Sequence, residues 1–288
     1  MASVVITGSN SGFGRLTAET LVKAGHTVFA TMRDSGSKNA KAAAELRAFG
    51  AANGGRVHVV ELDVTAEASV QQGIDSIAQQ SGGVIDVVFN NAGRFSAGVQ
   101  EAYTLEEVKD LFETNVFGPL RVNRAALPHM RKRRSGLIIN TSSIVGRFTL
   151  PCVGVYAASK HALEALAEAQ RDELKPLGID VVLIEPGAFP TAVGDKGLYP
   201  ADRARASEYG DVAAIPQKMG EGLGQLFASP SAPKPQDVAD AVRKLIDTPA
   251  GQRPARVVVD KLTGDPVRTL NEVHIAQRLA LLSAFGMA

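Results

Sequence analysis

The 288-residue chain has a single cysteine, Cys152, so it can form no intramolecular disulfide and carries no sign of an oxidising compartment. The cytoplasm is the expected location. The chain also lacks an excess of either charge: 31 Lys and Arg against 30 Asp and Glu leave a formal net charge of +1. That balance gives no broad positive field for nucleic acid or an acidic membrane, and it turns attention to small neutral or phosphorylated ligands. Long apolar runs are missing as well. Too few residues precede the first apolar segment, Val4-Val5-Ile6, for a signal peptide, and no stretch approaches the roughly 18 apolar residues of a membrane span. These absences predict a soluble protein without nucleic-acid or membrane partners, and no residue pattern suggests a metal site.

Hydrophobic residues make up 45% of the chain, enough for a sizeable core. Short β-branched runs at 3–7, 27–31, 57–61, 85–89, 137–141, 180–184 and 256–260 predict seven strands. Between them lie helical patterns at 16–24, 40–49, 70–79, 105–130 and 156–177. This alternation predicts an α/β fold, a doubly wound, Rossmann-type parallel sheet of seven strands with helices on both faces. Thr104 and Glu107 have the spacing of a capping box that opens the long fourth helix. The basic run Arg131 to Arg134 falls at the end of that helix, where cations meet the negative end of its dipole. The rhythm fails between Pro190 and Pro235, a glycine- and proline-rich stretch of the kind that forms lids over binding sites. A C-terminal helical extension, about 265–288, could cover one side of a pocket. No internal repeat or second core divides the chain, so 1–288 reads as one domain.

Two local patterns carry chemistry. The first is Gly8-Ser9-Asn10-Ser11-Gly12-Phe13-Gly14, between the first strand and the first helix. Glycines there let the backbone turn tightly and approach a pyrophosphate, whose charge is met by N–H groups and the positive helix end. The spacing is G-x-x-x-G-x-G rather than G-x-G-x-x-G, and by itself it leaves a purely structural turn open. The second pattern is Tyr156 and Lys160, which share one face of a helix at i and i+4. An ammonium beside the phenol stabilises tyrosinate and draws its pKa below the usual value of about 10, which suits a proton donor near neutrality.

In chain order, the sequence presents the glycine turn, Asn90-Asn91-Ala92-Gly93 after the fourth strand, Asn115 in the next helix, Ser142-Ser143 after the fifth strand, Tyr156-x-x-x-Lys160, and Pro186-Gly187-x-x-x-Thr191 after the sixth. Over nearly its whole length the chain resembles the short-chain dehydrogenase/reductase family. The resemblance implies a nicotinamide dinucleotide across the strand C-termini and a homodimer or homotetramer. It makes Tyr156 the general acid in reduction and the base in oxidation, with Lys160 holding the nicotinamide ribose and lowering the Tyr156 pKa. Ser143 would hydrogen-bond the substrate oxygen as negative charge develops. Asn115 would bind a water linking Lys160 to solvent. Gly8, Ser11, Gly12, Phe13, Gly14, Asn91, Ala92, Gly93, Pro186, Gly187 and Thr191 would line the cofactor. Asp63 resembles the residue that reads the adenine amino group, although an Asp before Val64-Thr65 also helps start a helix.

NAD-preferring members end the second strand on an acidic residue that accepts from the ribose 2′-OH; here Met32 stands there and Arg33 follows. A guanidinium pairs with a 2′-phosphate, so the cofactor implied is NADP(H). The segments around Met32, Asn115 and Pro186 look closest to the branch holding 17β-hydroxysteroid and retinol dehydrogenases and bacterial ketone reductases. Phe95, Val145, Phe148, Leu150, Cys152, Val153, Ala188, Phe189 and Tyr199 are the candidate pocket residues, and they favour an apolar carbonyl or alcohol substrate. Two alternatives stay open: an NAD-dependent dehydrogenase of polyols or hydroxyacyl compounds, and a non-catalytic NADP-binding regulator.

Overall fold

Residues 1–194 and 197–287 are described by the computed structural model of the protein. Its strands are β1 Ser3–Ile6, β2 Thr27–Met32, β3 Val57–Glu61, β4 Val87–Asn90, β5 Gly136–Thr141, β6 Ile179–Pro186 and β7 Arg256–Val259. All pair in parallel, in the order β3-β2-β1-β4-β5-β6-β7. Successive side chains point to opposite faces of a strand, so a continuous apolar run supplies two cores at once. In β1, Val4 and Ile6 enter one core while Val5 enters the other; in β5, Leu137 and Ile139 part from Ile138 in the same way. The first core lies under α1 (Gly12–Lys23), α2 (Ala40–Ala52) and α9 (Gln236–Asp247). The second lies under α3 (Glu67–Gln80), α5 (Gly118–Arg133) and α6 (Gly154–Leu174).

The long fourth helix expected over 105–130 is interrupted. It runs as α4 (Leu105–Phe112), a π turn over Glu113–Phe117, and then α5. Pro119 supplies the physical reason: it has no N–H, so the Asn115 carbonyl lacks the donor that an unbroken α-helix would give it. The capping box at the start of α4 is present in both directions, Thr104 with Glu107. At the other end, Arg131, Lys132 and Arg133 occupy the last turn of α5, and Arg133 pairs with Asp86 at 2.7 Å.

A run of amides, from buried Asn90 to half-buried Gln170, crosses the second face. Asn90 of β4 donates to Asn123 of α5 at 2.8 Å and to Asn140 of β5 at 2.9 Å, and Asn123 donates on to Gln170 of α6 at 3.0 Å. Beyond the sixth strand, the 190–235 stretch holds two short helices, α7 (Arg203–Ser207) and α8 (Ile215–Phe227), neither with a buried residue. The C-terminal helix, α10 (Asp265–Ala284), turns Val267 and Asn271 inward and leaves Val273, Leu279 and Leu281 exposed.

Candidate active site

The strand order reverses between β1 and β4, and this is where loops leaving neighbouring strands diverge and open a crevice. The Thr7 hydroxyl accepts from the backbone N–H groups of both Asn91 and Ala92 at 3.0 Å, joining the two loops across that gap. The Asn91 side chain returns the contact, donating to the carbonyls of Thr7 at 2.9 Å and Gly8 at 3.2 Å. Gly8 has a φ of +67°, and a Cβ there would stand 3.0 Å from the Ala92 Cα. A Cβ on Gly14 would run into the Gly8 carbonyl oxygen and lie 2.6 Å from Asn91 Nδ2. The turn therefore packs backbone against backbone, with Ser11 at the N-cap of α1 and Gly12 opening the helix. Thr191 lies beside Gly12, so the two ends of the cofactor pattern converge. Pro186 ends β6, and the Gly187 N–H donates to the Val259 carbonyl at 3.2 Å.

The end of β5 meets α6 across the crevice. The Ser143 hydroxyl stands close enough to the Tyr156 phenol to draw its pKa down. Ser143 Oγ also donates to the Pro186 carbonyl at 3.4 Å and accepts from the Val145 N–H at 3.3 Å. Lys160 Nζ donates to the Thr141 carbonyl at 2.8 Å and lies 5.7 Å from the centre of the Tyr156 ring. Desolvation dominates both titrating groups. Burial pushes the Tyr156 phenol up to about 12 against the downward pull of the Ser143 hydrogen bond. Burial likewise pulls Lys160 down to about 8, against an upward pull from Glu164. The lowered phenol expected from the i, i+4 spacing is thus absent in this arrangement, because loss of hydration dominates.

Asn115 sits in the π turn with its side chain committed to protein. Its Oδ1 accepts from the Arg94 N–H at 2.8 Å, and its Nδ2 donates to the Arg94 carbonyl at 2.9 Å and to Ser159 Oγ at 3.1 Å. It ties the segment after Gly93 to the helix that carries Tyr156 and Lys160. Gly93 lies beside both: a Cβ there would be 3.4 Å from Asn115 Oδ1 and 3.8 Å from Lys160 Nζ.

At the ends of β2 and β3, Met32 is buried in the first core, and Arg33 is the first exposed side chain after the strand. Arg33 approaches Asp63 at 3.9 Å. Asp63 accepts from the Thr65 N–H at 2.9 Å and from the Thr65 hydroxyl at 2.8 Å, while α3 begins later, at Glu67. Its carboxylate thus makes a local turn rather than capping the helix.

Around Tyr156 the structure gathers Phe95, Val145, Val153, Ala157 and Met219. Phe95 meets the Tyr156 ring edge-on at 5.2 Å. Met219 comes from α8, a contribution that sequence reasoning missed; the only signal was an apolar residue in a glycine-rich helix. Cys152, at φ +61°, donates from Sγ to the Val212 carbonyl at 3.5 Å, and burial raises its thiol pKa. Phe148, Leu150 and Tyr199 are exposed, and the Tyr199 hydroxyl donates to the Gly194 carbonyl at 2.8 Å. Phe189 lies elsewhere: it packs edge-on against Phe13 at 5.4 Å within the first core. Its place beside Pro186-Gly187 in sequence put it near the site, but the chain turns it under the sheet.

A family model for short chain dehydrogenase matches residues 2–197. The chain belongs to this family. It is 34% identical to 3-ketodihydrosphingosine reductase of Bacteroides thetaiotaomicron, over 84% of this chain and 89% of that one. It is also 34% identical to human retinol dehydrogenase 8, over 94% and 85% of the two chains. The crystal structure of a short-chain dehydrogenase from Streptomyces avermitilis superposes with a TM-score of 0.76 at 33% identity, covering 99% of this chain and 97% of that one. The family is one of oxidoreductases that bind a nicotinamide cofactor. The close-packed glycine turn and its helix N-terminus fit the pyrophosphate of such a group. Among the described residues, no cluster of three or more His, Cys, Asp or Glu could hold a metal ion, and no helix is long and apolar enough to cross a membrane.

Gly14→Ala tests that cradle. The added methyl has the Gly8 backbone as well as the Asn91 side chain in its path, so affinity for the nicotinamide dinucleotide, measured by titration calorimetry, should fall about tenfold or more in protein that still folds. Unchanged affinity would mean that the turn does not hold the dinucleotide.

Proposed function

We propose that the protein is an NADPH-dependent reductase of apolar ketones or aldehydes, and in reverse a secondary alcohol dehydrogenase. The observation that carries this reading is the hydroxyl pair of Ser143 and Tyr156 opening onto an apolar wall of Phe95, Val145, Val153 and Met219. A carbonyl oxygen placed between the two hydroxyls meets two donors in a largely water-free setting, where developing negative charge is best stabilised. Ser143 orients that oxygen, and Tyr156 gives it a proton. Lys160, charged, offsets the tyrosinate left behind. Bound NADPH supplies the hydride. In the oxidative direction Tyr156 takes the proton back as a base. Two relatives named for retinol and for 3-ketodihydrosphingosine favour an apolar substrate over a sugar.

Arg33 supports the choice of NADPH. It is exposed, its partner Asp63 stands 3.9 Å away, and buried Met32 offers neither attraction to a ribose hydroxyl nor repulsion of a phosphate. The 190–235 stretch is read as the lid of this site, because α8 delivers Met219 to the apolar wall while burying no residue of its own fully.

Three outcomes follow from this reading. Tyr156→Phe should lower kcat by about 10²- to 10⁴-fold, as is typical of proton-transfer groups, with NADPH binding nearly intact; more than about a tenth of wild-type turnover remaining in steady-state assays would remove Tyr156 from the role of acid. Arg33→Ala should lower kcat/KM for NADPH by roughly 10- to 150-fold and leave that for NADH almost unmoved, since a charge-assisted contact to phosphate is worth about 1.5 to 3 kcal/mol. Equal losses with both cofactors would make Arg33 structural. Limited proteolysis should cut the lid more slowly once NADP and a substrate analogue are bound, and equal rates would rule out closure.

A further inference from the structure

Three consecutive residues at the end of β5 meet three residues spaced by four on α6. The Thr141 carbonyl accepts from Lys160 Nζ at 2.8 Å, Ser142 Oγ donates to Glu164 Oε1 at 2.7 Å, and the Ser143 hydroxyl acts on the Tyr156 phenol. The middle rung belongs to none of the roles described so far. We propose that Glu164 is a positioning residue for the reaction, a buried carboxylate one helical turn beyond Lys160 that keeps the lysine charged and, through Ser142, fixes the strand end carrying Ser143. This inference rests on the proposed roles of Tyr156 and Lys160.

Glu164 is 2% exposed, and its position is heavily constrained. Besides Ser142, it accepts from Arg256 Nε of β7 at 3.0 Å and has Arg147, which follows the turn after β5, at 3.9 Å. A Cβ on Gly146 would stand 2.9 Å from its Oε1, so the approach of the turn is as close as glycine allows. Ser142 in turn donates its N–H to the Ile184 carbonyl at 2.7 Å. The rung therefore ties α6 to β5, β6 and β7 immediately behind Ser143.

The charges facing Glu164 come from every side. On β6, Glu185 is fully buried, is held by Asn271 of α10 at 2.6 Å and faces Arg256 at 3.5 Å, while burial and Glu164 push its carboxyl pKa up. On α6 itself, Glu168 is taken up by Arg256, and by His274 and Arg278 of α10. His161, with Glu164, Glu168 and these basic side chains, lines a cavity of about 500 Å³ on this side of the helix. Around Lys160 lie the Tyr156 ring, the Thr141 carbonyl and Gly93, none of them charged near neutrality. Glu164 is the carboxylate that opposes the desolvation of Lys160. Without it the ammonium gives up its proton at lower pH.

The test is the pH dependence of NADPH oxidation, with benzil as the carbonyl probe. Reduction requires charged Lys160, so kcat/KM should fall on the alkaline side as Lys160 deprotonates near pH 8. Glu164→Gln retains the acceptor for Ser142 but removes the charge, and its alkaline limb should move to lower pH by about one to two units, as expected for a unit charge one helical turn away. Glu164→Asp keeps the charge but draws it back from Ser142; its limb should stay near that of the wild type while kcat falls several-fold. A limb unmoved in Glu164→Gln, or moved equally by both changes, would overturn the proposal. If the Gln variant does not fold, the Asp variant still decides, because a shifted limb with full kcat contradicts both assigned roles. Lys160→Arg separates this inference from the reading beneath it, since arginine stays charged throughout. A wild-type limb persisting in Lys160→Arg would remove Lys160 from the reaction and the inference with it. Loss of the limb there, with none of the shift in Glu164→Gln, would defeat the inference alone.

Discussion

The Thr7 hydroxyl bonds two successive backbone N–H groups from the far side of a gap, and the geometry of the site follows from that junction. Parallel strands cannot be joined by short hairpins, so every connection in this sheet crosses a face by way of a helix. Where the winding changes direction, between β1 and β4, the two loops would diverge and leave their backbone groups open to water. Thr7 and Asn91 close that break by binding each other's main chain. The glycine turn then packs against Ala92, and its neighbour Gly93 comes within a few ångströms of the Lys160 ammonium, although these groups come from three different connections.

On the other side of the crevice, one environment acts with opposite sign on two partners. Burial raises the Tyr156 phenol and lowers the Lys160 ammonium, and each shift favours the uncharged form. Chemistry that creates tyrosinate beside an ammonium needs both charges. The protein answers with groups placed just outside the pair: a hydroxyl for the phenol and a carboxylate for the ammonium. Rate and proton affinity at this site are therefore governed as much by the end of β5 and by β7 as by the two side chains that perform the transfer.

Local periodicity made the fold legible. Val4-Val5-Ile6, Leu137-Ile138-Ile139 and their counterparts are apolar on both faces because both faces are covered, and no competing pattern suits such short runs. The candidate catalytic residues were legible for a similar reason, as Tyr156 and Lys160 are neighbours on one helix. Features that depend on distant partners were not. Phe189 adjoins a cofactor segment in sequence but packs with Phe13; Met219 reaches Tyr156 from a helix without its own core; and Glu164 reads as an ordinary helical carboxylate until Arg256 closes on it. The π turn lies between these cases. Pro119 announces a missing donor, but only Asn115 bonding to Arg94 and Ser159 explains how the helix continues through it.

The amides of buried Asn90, Asn123 and Asn140 and half-buried Gln170 behave like the wards of a lock. Each link requires donor to face acceptor across a different pair of elements, so the chain is completed only when β4, β5, α5 and α6 stand in one relative register. Sliding either strand by one residue would strand several amides without partners in an apolar interior, a far larger penalty than misplacing one methyl group. Mutational drift at these four positions is consequently coupled: a lone replacement orphans its neighbour, and exchange for an oily patch succeeds only when the whole set changes together.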